Sequence, residues 1–261
     1  MQRCAPVSTE PIHLRPTAPL ADRVLLPGDP GRALLLAQAL LHEPKMFNHH
    51  RGLWGYTGTA ADEQPLTIQS TGMGGPSAAI VITELATLGA RRLIRTGTCG
   101  ALDPRLELGD LILAREATAN DGASRALGAG ACVEADEELT NAIAAAAAAA
   151  AGAAAAAGAA AAAGAAASGS LHVGRVVTTD LFYDNTGQEH RWAEAGALAI
   201  EMETATLFTI AKNKGLQAAA LLIVTDKILP TRTRIDADAL TEAERRLGET
   251  ATRGLMSLEA G

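Results

Sequence analysis

The feature that most constrains this fold is a pair of glycine-rich turns joined by a helix and a buried strand. Residues 69–101 read QSTGMGGPSAAIVITELATLGARRLIRTGTCGA. Pro76 suits the first turn of a helix, apolar residues then recur near helical spacing, and Gly89 is placed to end the helix. Strands and helices alternate in this way along most of the chain. The sequence therefore predicts an α/β fold, a single domain with a mixed central sheet flanked by helices.

Polar residues at the end of the predicted strand suit an anion. Arg95 and Thr98 stand among glycines at the end of that strand, where open α/β sheets bind ligands. A second strand, at residues 23–26, is followed by a turn that contains Gly28 and Arg32 and then by a helix. A guanidinium group beside a helix N-terminus favours phosphate or another oxyanion. The alternative at both places is an ordinary tight turn with a solvated arginine, since neither GxGxxG nor a P-loop lysine is present.

Acidic residues follow two further predicted strands. Glu201 and Glu203 flank Met202 at the start of a predicted helix, so that one carboxylate can face a ligand. A carboxylate accepts hydrogen bonds from vicinal hydroxyls such as those of a ribose. The alternative is the usual enrichment of acids at helix N-termini. Asp226 follows the apolar strand at residues 217–224, again at the ligand edge of the sheet.

Charge and cysteine content exclude several classes of protein. The formal net charge is −7, and the sequence contains no basic run, which argues against nucleic acid or an acidic membrane as a partner. The cysteines Cys4, Cys99 and Cys132 are scattered and odd in number, which favours a reducing cytoplasm. Because CxxC and HExxH are absent, we expect no zinc or other metal site.

Two segments are predicted to contribute nothing to a site. Residues 1–11 read as a loose leader without the apolar run of a signal peptide, and we expect a cytoplasmic protein. Residues 142–168 are almost entirely alanine and glycine. Alanine favours a helix, but such a helix buries little and recognises almost nothing.

These motifs together resemble the trimeric/hexameric nucleoside phosphorylase family, which includes bacterial purine nucleoside phosphorylase, uridine phosphorylase and archaeal methylthioadenosine phosphorylase. The resemblance spans from about His13 to the final predicted helix. It rests on PGDPGRA at 27–33, RGLWGYTGT at 51–59, STGMGGPS at 70–77, RTGTCGAL at 95–102, DLFY at 180–183, EMETATL at 201–207 and VTD at 224–226.

The resemblance implies that phosphate attacks C1′ of a nucleoside and releases ribose 1-phosphate and a free base, without a metal or organic cofactor. Its implied phosphate ligands are Gly28, Arg32, Arg95 and Thr98, with Arg51 from a neighbouring subunit. Its implied ribose ligands are Met202 and Glu203, with His13 from the partner. Its implied base contacts are Cys99, Gly100, Phe182, Glu201 and Asp226. The partners are nucleoside and phosphate, and a homo-oligomer with shared sites is expected, a hexamer built as a trimer of dimers.

The identity of the base is the more open question. In the purine enzymes of this family an acid at the position of Asp226 protonates the base, helped by an arginine in a downstream AER, which here gives Arg245. Uridine phosphorylases carry a Gln-x-Arg after the FY pair, and here Gln188 is displaced and lacks that arginine. Three features nevertheless resemble uridine phosphorylases, namely Thr98, the sequence STGMGGPS at 70–77 and DGAS at 121–124.

We therefore expect a purine nucleoside phosphorylase, with a uridine phosphorylase as the alternative. A nucleosidase and a non-catalytic nucleoside-binding protein are less favoured, because the implied phosphate arginines and Glu203 are all present.

Overall fold

The computed structural model of the protein describes residues 10–156, 169–184 and 186–258. Most of the predicted leader (residues 1–9) and the later part of the Ala/Gly-rich segment (residues 157–168) lie outside the described residues.

The strands are β1 (Arg23–Leu26), β2 (His42–Asn48), β3 (Gly55–Thr59), β4 (Pro65–Gln69), β5 (Arg92–Ala101), β6 (Leu111–Asn120), β7 (Cys132–Glu134), β8 (Leu171–Thr179), β9 (Ala199–Glu201), β10 (Gln217–Lys227) and β11 (Thr233–Arg234). The helices are α1 (Pro30–Leu40), α2 (Gly75–Leu88), α3 (Gly122–Ala126), α4 (Glu137–Ala156), α5 (Gln188–Glu194), α6 (Thr204–Lys214) and α7 (Ala237–Ser257), with a short 3-10 helix at His50–Gly52.

The strands form one mixed sheet, as predicted. Its order is β11-β10-β6-β8-β9-β5-β1-β4-β3-β2, and β7 pairs with β6. An additional pairing of β10 with β5 closes β5, β10, β6, β8 and β9 into a ring. β1 lies parallel to both β4 and β5, and β5 lies parallel to β10, whereas β6 is antiparallel to β10. The parallel strands β1, β5 and β10 therefore end at the same edge.

Apolar side chains alternate between two cores on either side of the sheet, because successive residues of a strand point to opposite faces. Val24 and Leu26 of β1 join the core covered by α2 and α6, whereas Leu25 joins the core covered by α1, α4 and α7. Leu222 of β10 likewise joins the core covered by α2 and α6, and Leu221 joins the core covered by α1, α4 and α7. This division explains why both strands read as continuous apolar runs.

Helix α2 confirms the prediction made from its terminal residues. Pro76 lies in its first turn, and Gly89 ends the helix with a left-handed backbone, φ 116°. A left-handed residue is favoured there because glycine has no Cβ to clash, and its N–H then reaches a carbonyl of the last turn. The turn at Gly74 and the strand β5 are thereby held at a fixed separation by a regular helix.

Two local features were not predicted. The strand β2 was not predicted, because its first five residues, up to Met46, are exposed and mostly polar and Glu43 interrupts it with φ 47°. Asn120 ends β6, and α3 begins at Gly122 after its cap Asp121. There the Asp121 carboxylate accepts hydrogen bonds from the N–H and hydroxyl of Ser124, which favours a helix start over an open turn.

The alanine-rich segment begins as a helix, in agreement with its composition. The first turn of α4 is acidic, and Leu139 and Ile143 are fully buried against α7. Over the ranges that the structure describes, no helix combines the length and the apolar character needed to cross a membrane.

Candidate active site

A cleft of about 280 Å³ opens where β1, β5, β8, β9 and β10 end. Most of the predicted site residues line this cleft. They are Gly28, Arg32, Arg95, Thr98, Cys99, Gly100, Phe182, Glu201, Met202, Glu203 and Asp226. Residues separated by up to about two hundred positions in the chain are thus brought together by the shared edge of the sheet.

Arg95 lies between two glutamates at the floor of the cleft. Its Nε donates to Glu201 Oε2 at 2.9 Å, and its Nη2 lies 2.5 Å from Glu203 Oε2. The Arg95 side chain is 6% exposed. Gly97 makes this placement possible, because a Cβ on Gly97 would lie 2.7 Å from Arg95 Cζ. The guanidinium group is therefore fixed by its neighbours before any ligand binds.

Glu203 joins the glycine turn to Arg95. Its Oε1 accepts a hydrogen bond from the Gly74 N–H at 2.5 Å, and its Oε2 meets Arg95. Burial raises the pKa of the Glu203 carboxyl, an effect that Arg95 opposes and that the charge of Glu201 reinforces. A carboxylate in this position can accept hydrogen bonds from sugar hydroxyls once it is released from Arg95.

The structure gives Glu201 a different place from the predicted base contact. Its side chain is fully buried and accepts hydrogen bonds from Arg95, from the Thr178 hydroxyl and from the backbone N–H groups of Glu203 and Thr204. A carboxylate with so many protein donors has little capacity left for a ligand. Glu201 borders the cleft, and its hydrogen bonds fix Arg95 and the start of α6, while its predicted contact with the base stays a prediction.

The turn after β1, which contains Gly28 and Arg32, also differs from the prediction in one respect. We expected its backbone N–H groups to face an anion, but the Asp29 carboxylate accepts hydrogen bonds from the N–H groups of Gly31 and Arg32 at 3.0 and 3.1 Å. Asp29 thus caps α1. The Arg32 side chain is left as the cation of this turn, and its Nε donates to Glu244 Oε1 at 2.7 Å.

An irregularity in β10 presents two successive residues to the cleft. Val224 pairs with Cys99 and Asp226 pairs with Gly100, so Thr225 is inserted as a bulge. Both Thr225 and Asp226 line the cleft, which regular alternation would not allow. The Thr225 hydroxyl donates to Asp226 Oδ2 at 3.0 Å.

Asp226 is paired with arginines that sequence reasoning missed. Arg232 Nε lies 3.4 Å and Arg234 Nε 3.2 Å from Asp226 Oδ1. Both arginines belong to the segment between β10 and α7, which carries no recognisable motif. Arg232 lines the cleft, and its Cζ lies 4.7 Å from the centroid of the Phe182 ring.

Arg245, which was predicted to assist Asp226, does not line the cleft in this structure, and its role stays a prediction. Arg245 is exposed on α7, next to a shallow groove lined by Gly31, Leu34 and Leu35 of α1, away from the cleft. Adjacent residues of a helix point about 100° apart. Because Glu244 is turned inward to meet Arg32, Arg245 is turned out to solvent.

Thr98, Cys99 and Gly100 form one wall of the cleft along β5. The Cys99 thiol donates to the Ile223 carbonyl at 3.4 Å, and burial raises the pKa of this thiol well above its usual value. The thiol is therefore neutral and shapes the cavity, and it lacks the thiolate character of a nucleophile.

His13 and Arg51, which were predicted to act from a neighbouring subunit, do not line the cleft of their own chain. His13 Nδ1 lies 2.8 Å from Glu84 Oε1 on α2. Arg51 is exposed in the 3-10 helix with φ 58°. The predictions for both residues concern a second copy of the chain and stay predictions.

In the described part of the chain, no group of three or more His, Cys, Asp or Glu side chains is arranged to hold a metal ion. The expectation that the protein uses no metal stays a prediction.

Comparison with known proteins places the chain in a family. The model of the phosphorylase superfamily matches residues 22–256. The chain belongs to the phosphorylase superfamily. This finding confirms the resemblance that the sequence motifs indicated, together with the predicted fold class.

Individual relatives carry two kinds of name. The chain is 38% identical to a DeoD-type purine nucleoside phosphorylase of Geobacillus kaustophilus, over 82% of the chain and 84% of that protein. It is 39% identical to a protein of the same name from Oceanobacillus iheyensis, over 80% and 84%. Among solved structures, uridine phosphorylase of Vibrio fischeri, in a complex with 6-hydroxy-1-naphthoic acid, matches with a TM-score of 0.75 and 25% identity over 91% of the chain and 92% of that structure.

Proposed function

We propose that this protein is a purine nucleoside phosphorylase, a pentosyltransferase that reversibly converts a purine nucleoside and inorganic phosphate to the free base and ribose 1-phosphate. The observation that carries the proposal is the 2.5 Å contact between Arg95 Nη2 and Glu203 Oε2 at the floor of the cleft. A phosphate that takes Arg95 lies directly beside the carboxylate that accepts the ribose hydroxyls. The nucleophile and the sugar are thus brought within reaction distance.

The reaction requires an anion on one side of C1′ and a stabilised leaving group on the other. Arg32, Arg95, Thr98 and the backbone at Gly28 would hold phosphate. As a phosphate oxygen forms its bond to C1′, the C1′–N9 bond breaks and its electron pair passes to the purine. Asp226 would donate a proton to the purine and so stabilise the departing base. Met202 would pack against the ribose.

The base end of the cleft favours a purine. Asp226 is an acid paired in the sheet with Gly100, and Cys99 and Phe182 line the same cleft. The relatives with the higher identity are named purine nucleoside phosphorylases. The second candidate function is uridine phosphorolysis, which is supported by the structural similarity to Vibrio fischeri uridine phosphorylase.

The site would be completed by a second copy of the chain. Met73, Leu181 and Phe182 line the cleft and are 84%, 57% and 49% exposed, so apolar side chains face solvent at the cleft. Exposed apolar patches of this kind mark interaction surfaces. A neighbouring subunit seated there would contribute Arg51 to phosphate and His13 to ribose, in a hexamer that forms as a trimer of dimers.

The test is phosphate-dependent release of base from inosine, guanosine, adenosine and uridine. We expect cleavage of purine nucleosides with ribose 1-phosphate as the second product. Release of free ribose at the same rate without phosphate would instead identify a nucleosidase. Turnover restricted to uridine would identify the second candidate.

A further inference from the structure

The guanidinium group of Arg232 lies between two residues at the base end of the cleft. Its Nε is 3.4 Å from Asp226 Oδ1, and its Cζ is 4.7 Å from the centroid of the Phe182 ring. The planar cation therefore covers one face of the phenyl ring, and its contact with the carboxylate fixes its orientation. Neither contact involves the phosphate or ribose side of the cleft.

The remaining donors of Arg232 are available to a ligand. Its side chain is 41% exposed and lines the cleft. Among the described residues, no acceptor is hydrogen-bonded to its terminal Nη1 or Nη2. A guanidinium group has five N–H donors and no acceptor, so it can only donate to a base.

This donor-only character discriminates between bases. A 6-oxopurine presents a carbonyl oxygen at C6, which accepts a hydrogen bond from a guanidinium group. Adenine presents an amino group at the same position, so two donors would face each other and neither would be satisfied. Donors that face each other are left without an acceptor, and sites built to hydrogen-bond a substrate reject analogues that lack the partner.

We propose that Arg232 reads the base and selects nucleosides whose base presents a carbonyl oxygen to it, so that inosine and guanosine are preferred to adenosine. This inference rests on the proposed function, because it assigns the substrate class of the same site. It places base selection on the segment between β10 and α7, whereas phosphate and ribose are held by residues at the ends of β1, β5 and β9.

The experiment compares kcat/KM for inosine, guanosine, adenosine and uridine in the wild type, Arg232→Ala and Arg232→Lys. Arg253→Ala serves as the matched control, since Arg253 is an exposed arginine on α7 paired with Glu249. We expect the wild type to prefer inosine over adenosine by about tenfold or more. Arg232→Ala should bring that ratio close to one through loss on inosine, Arg232→Lys should restore part of it, and the control should match the wild type.

The phosphate KM separates base reading from a general disturbance of the site. We expect it to stay within about twofold of wild type in Arg232→Ala, because the phosphate ligands lie at the other end of the cleft. Equal losses for inosine and adenosine, or a wild type that prefers adenosine, would overturn the inference. A rise in phosphate KM with an unchanged inosine-to-adenosine ratio would overturn it as well.

A binding measurement separates failure of this inference from failure of the proposed function. Calorimetric titration of the wild type with hypoxanthine and with adenine, each with phosphate present, requires no turnover. Tighter binding of hypoxanthine that is lost in Arg232→Ala supports base reading even if no nucleoside is cleaved. Adenine bound at least as tightly overturns it even if phosphorolysis is confirmed. Uridine turnover that depends on Arg232 would support carbonyl reading while contradicting the purine assignment.

Discussion

Glu244 of α7 accepts a hydrogen bond from Arg32 Nε at 2.7 Å, and both side chains are almost completely buried. The C-terminal helix is thereby attached to the turn that follows β1. Since Glu244 engages Nε, the terminal nitrogens of Arg32 are left for an anion in the cleft. If Arg32 holds phosphate as proposed, Glu244 acts on that phosphate only through Arg32, as a positioning residue.

Replacing Glu244 by alanine should weaken phosphate binding. Removal of one partner of a buried ion pair costs about 3 to 5 kcal/mol of stability and leaves the other partner free to turn away. We expect the phosphate KM to rise by about tenfold with a smaller change in the nucleoside KM. Steady-state kinetics at varied phosphate measure this, with Glu244→Gln as a milder variant and Glu249→Ala, an exposed glutamate on the same helix, as control. An unchanged phosphate KM in Glu244→Ala would show that Arg32 needs no such support.

Gly97→Ala should disturb Arg95 specifically. The new Cβ would lie 2.7 Å from Arg95 Cζ, a distance at which the guanidinium group must shift. Because misplacement of a charged group by about 1 Å can cost about a hundredfold in rate, we expect a large loss of phosphorolysis with a small change in melting temperature. Gly152→Ala is the matched control, since a Cβ there meets nothing within 4 Å. Full activity of Gly97→Ala would contradict the need for space beside Arg95.

Asp226→Asn should reduce purine phosphorolysis and leave phosphate binding intact. The amide cannot donate the proton of a carboxylic acid to the departing base, and general acid catalysis contributes about a hundredfold to ten-thousandfold. Calorimetric titration with phosphate, alongside kcat for inosine, separates the two effects. If kcat were retained, another group would have to protonate the base.

The ion pair of Arg23 with Asp62 should affect stability in acid. Both oxygens of Asp62 lie 2.6 Å from guanidinium nitrogens, and the hydrogen bond from Arg23 lowers the pKa of the Asp62 carboxyl below its ordinary value of 3.8. The stabilisation is therefore present above the unfolded pKa and is lost as the pH falls through the folded pKa. We expect Asp62→Asn to be less stable at neutral pH and to show a smaller further loss below about pH 4. Urea unfolding at several pH values tests this, with the exposed Asp238→Asn as control, and parallel acid profiles of wild type and Asp62→Asn would refute it.

Complementation between inactive variants tests the shared site. Arg51→Ala lacks the proposed contribution to a neighbour, and Arg95→Ala lacks a residue of its own cleft. If Arg51 acts across an interface, a mixed oligomer contains some clefts with both arginines intact. We expect each variant alone to be inactive and co-expressed mixtures to regain part of the activity. Mixtures as inactive as the single variants would place Arg51 in its own subunit or outside the site.

The sequence was sufficient for the strand-end residues and insufficient for the contacts between distant segments. Arg95 and Asp226 could be assigned to one edge because each follows an apolar run and the strands β5 and β10 are parallel. Glu203 follows β9, which is antiparallel to β5, and it was assigned from its place at the start of a predicted helix. Which residue of the Ala-Glu-Arg run on α7 turns inward depends on how the helix packs on α1, which no local pattern encodes. Glu244 was therefore not assigned, and only Arg245 of this run was predicted to contribute to the site.

Arg232 was beyond sequence reasoning for a different physical reason. The segment between β10 and α7 has neither periodicity nor a turn motif, and its arginines are located only by their contacts with Asp226 and Phe182. Likewise, the capping of α1 by Asp29 competes with an anion for the same N–H groups, and the sequence alone does not decide that competition.

The extra residue in β10 has a consequence for the evolution of this site. Without Thr225, Asp226 would follow Val224 directly and keep its place opposite Gly100, but the hydroxyl that donates to its Oδ2 would be lost. Loss of a single codon there would thus leave the acid in the cleft and remove one of its hydrogen-bond donors.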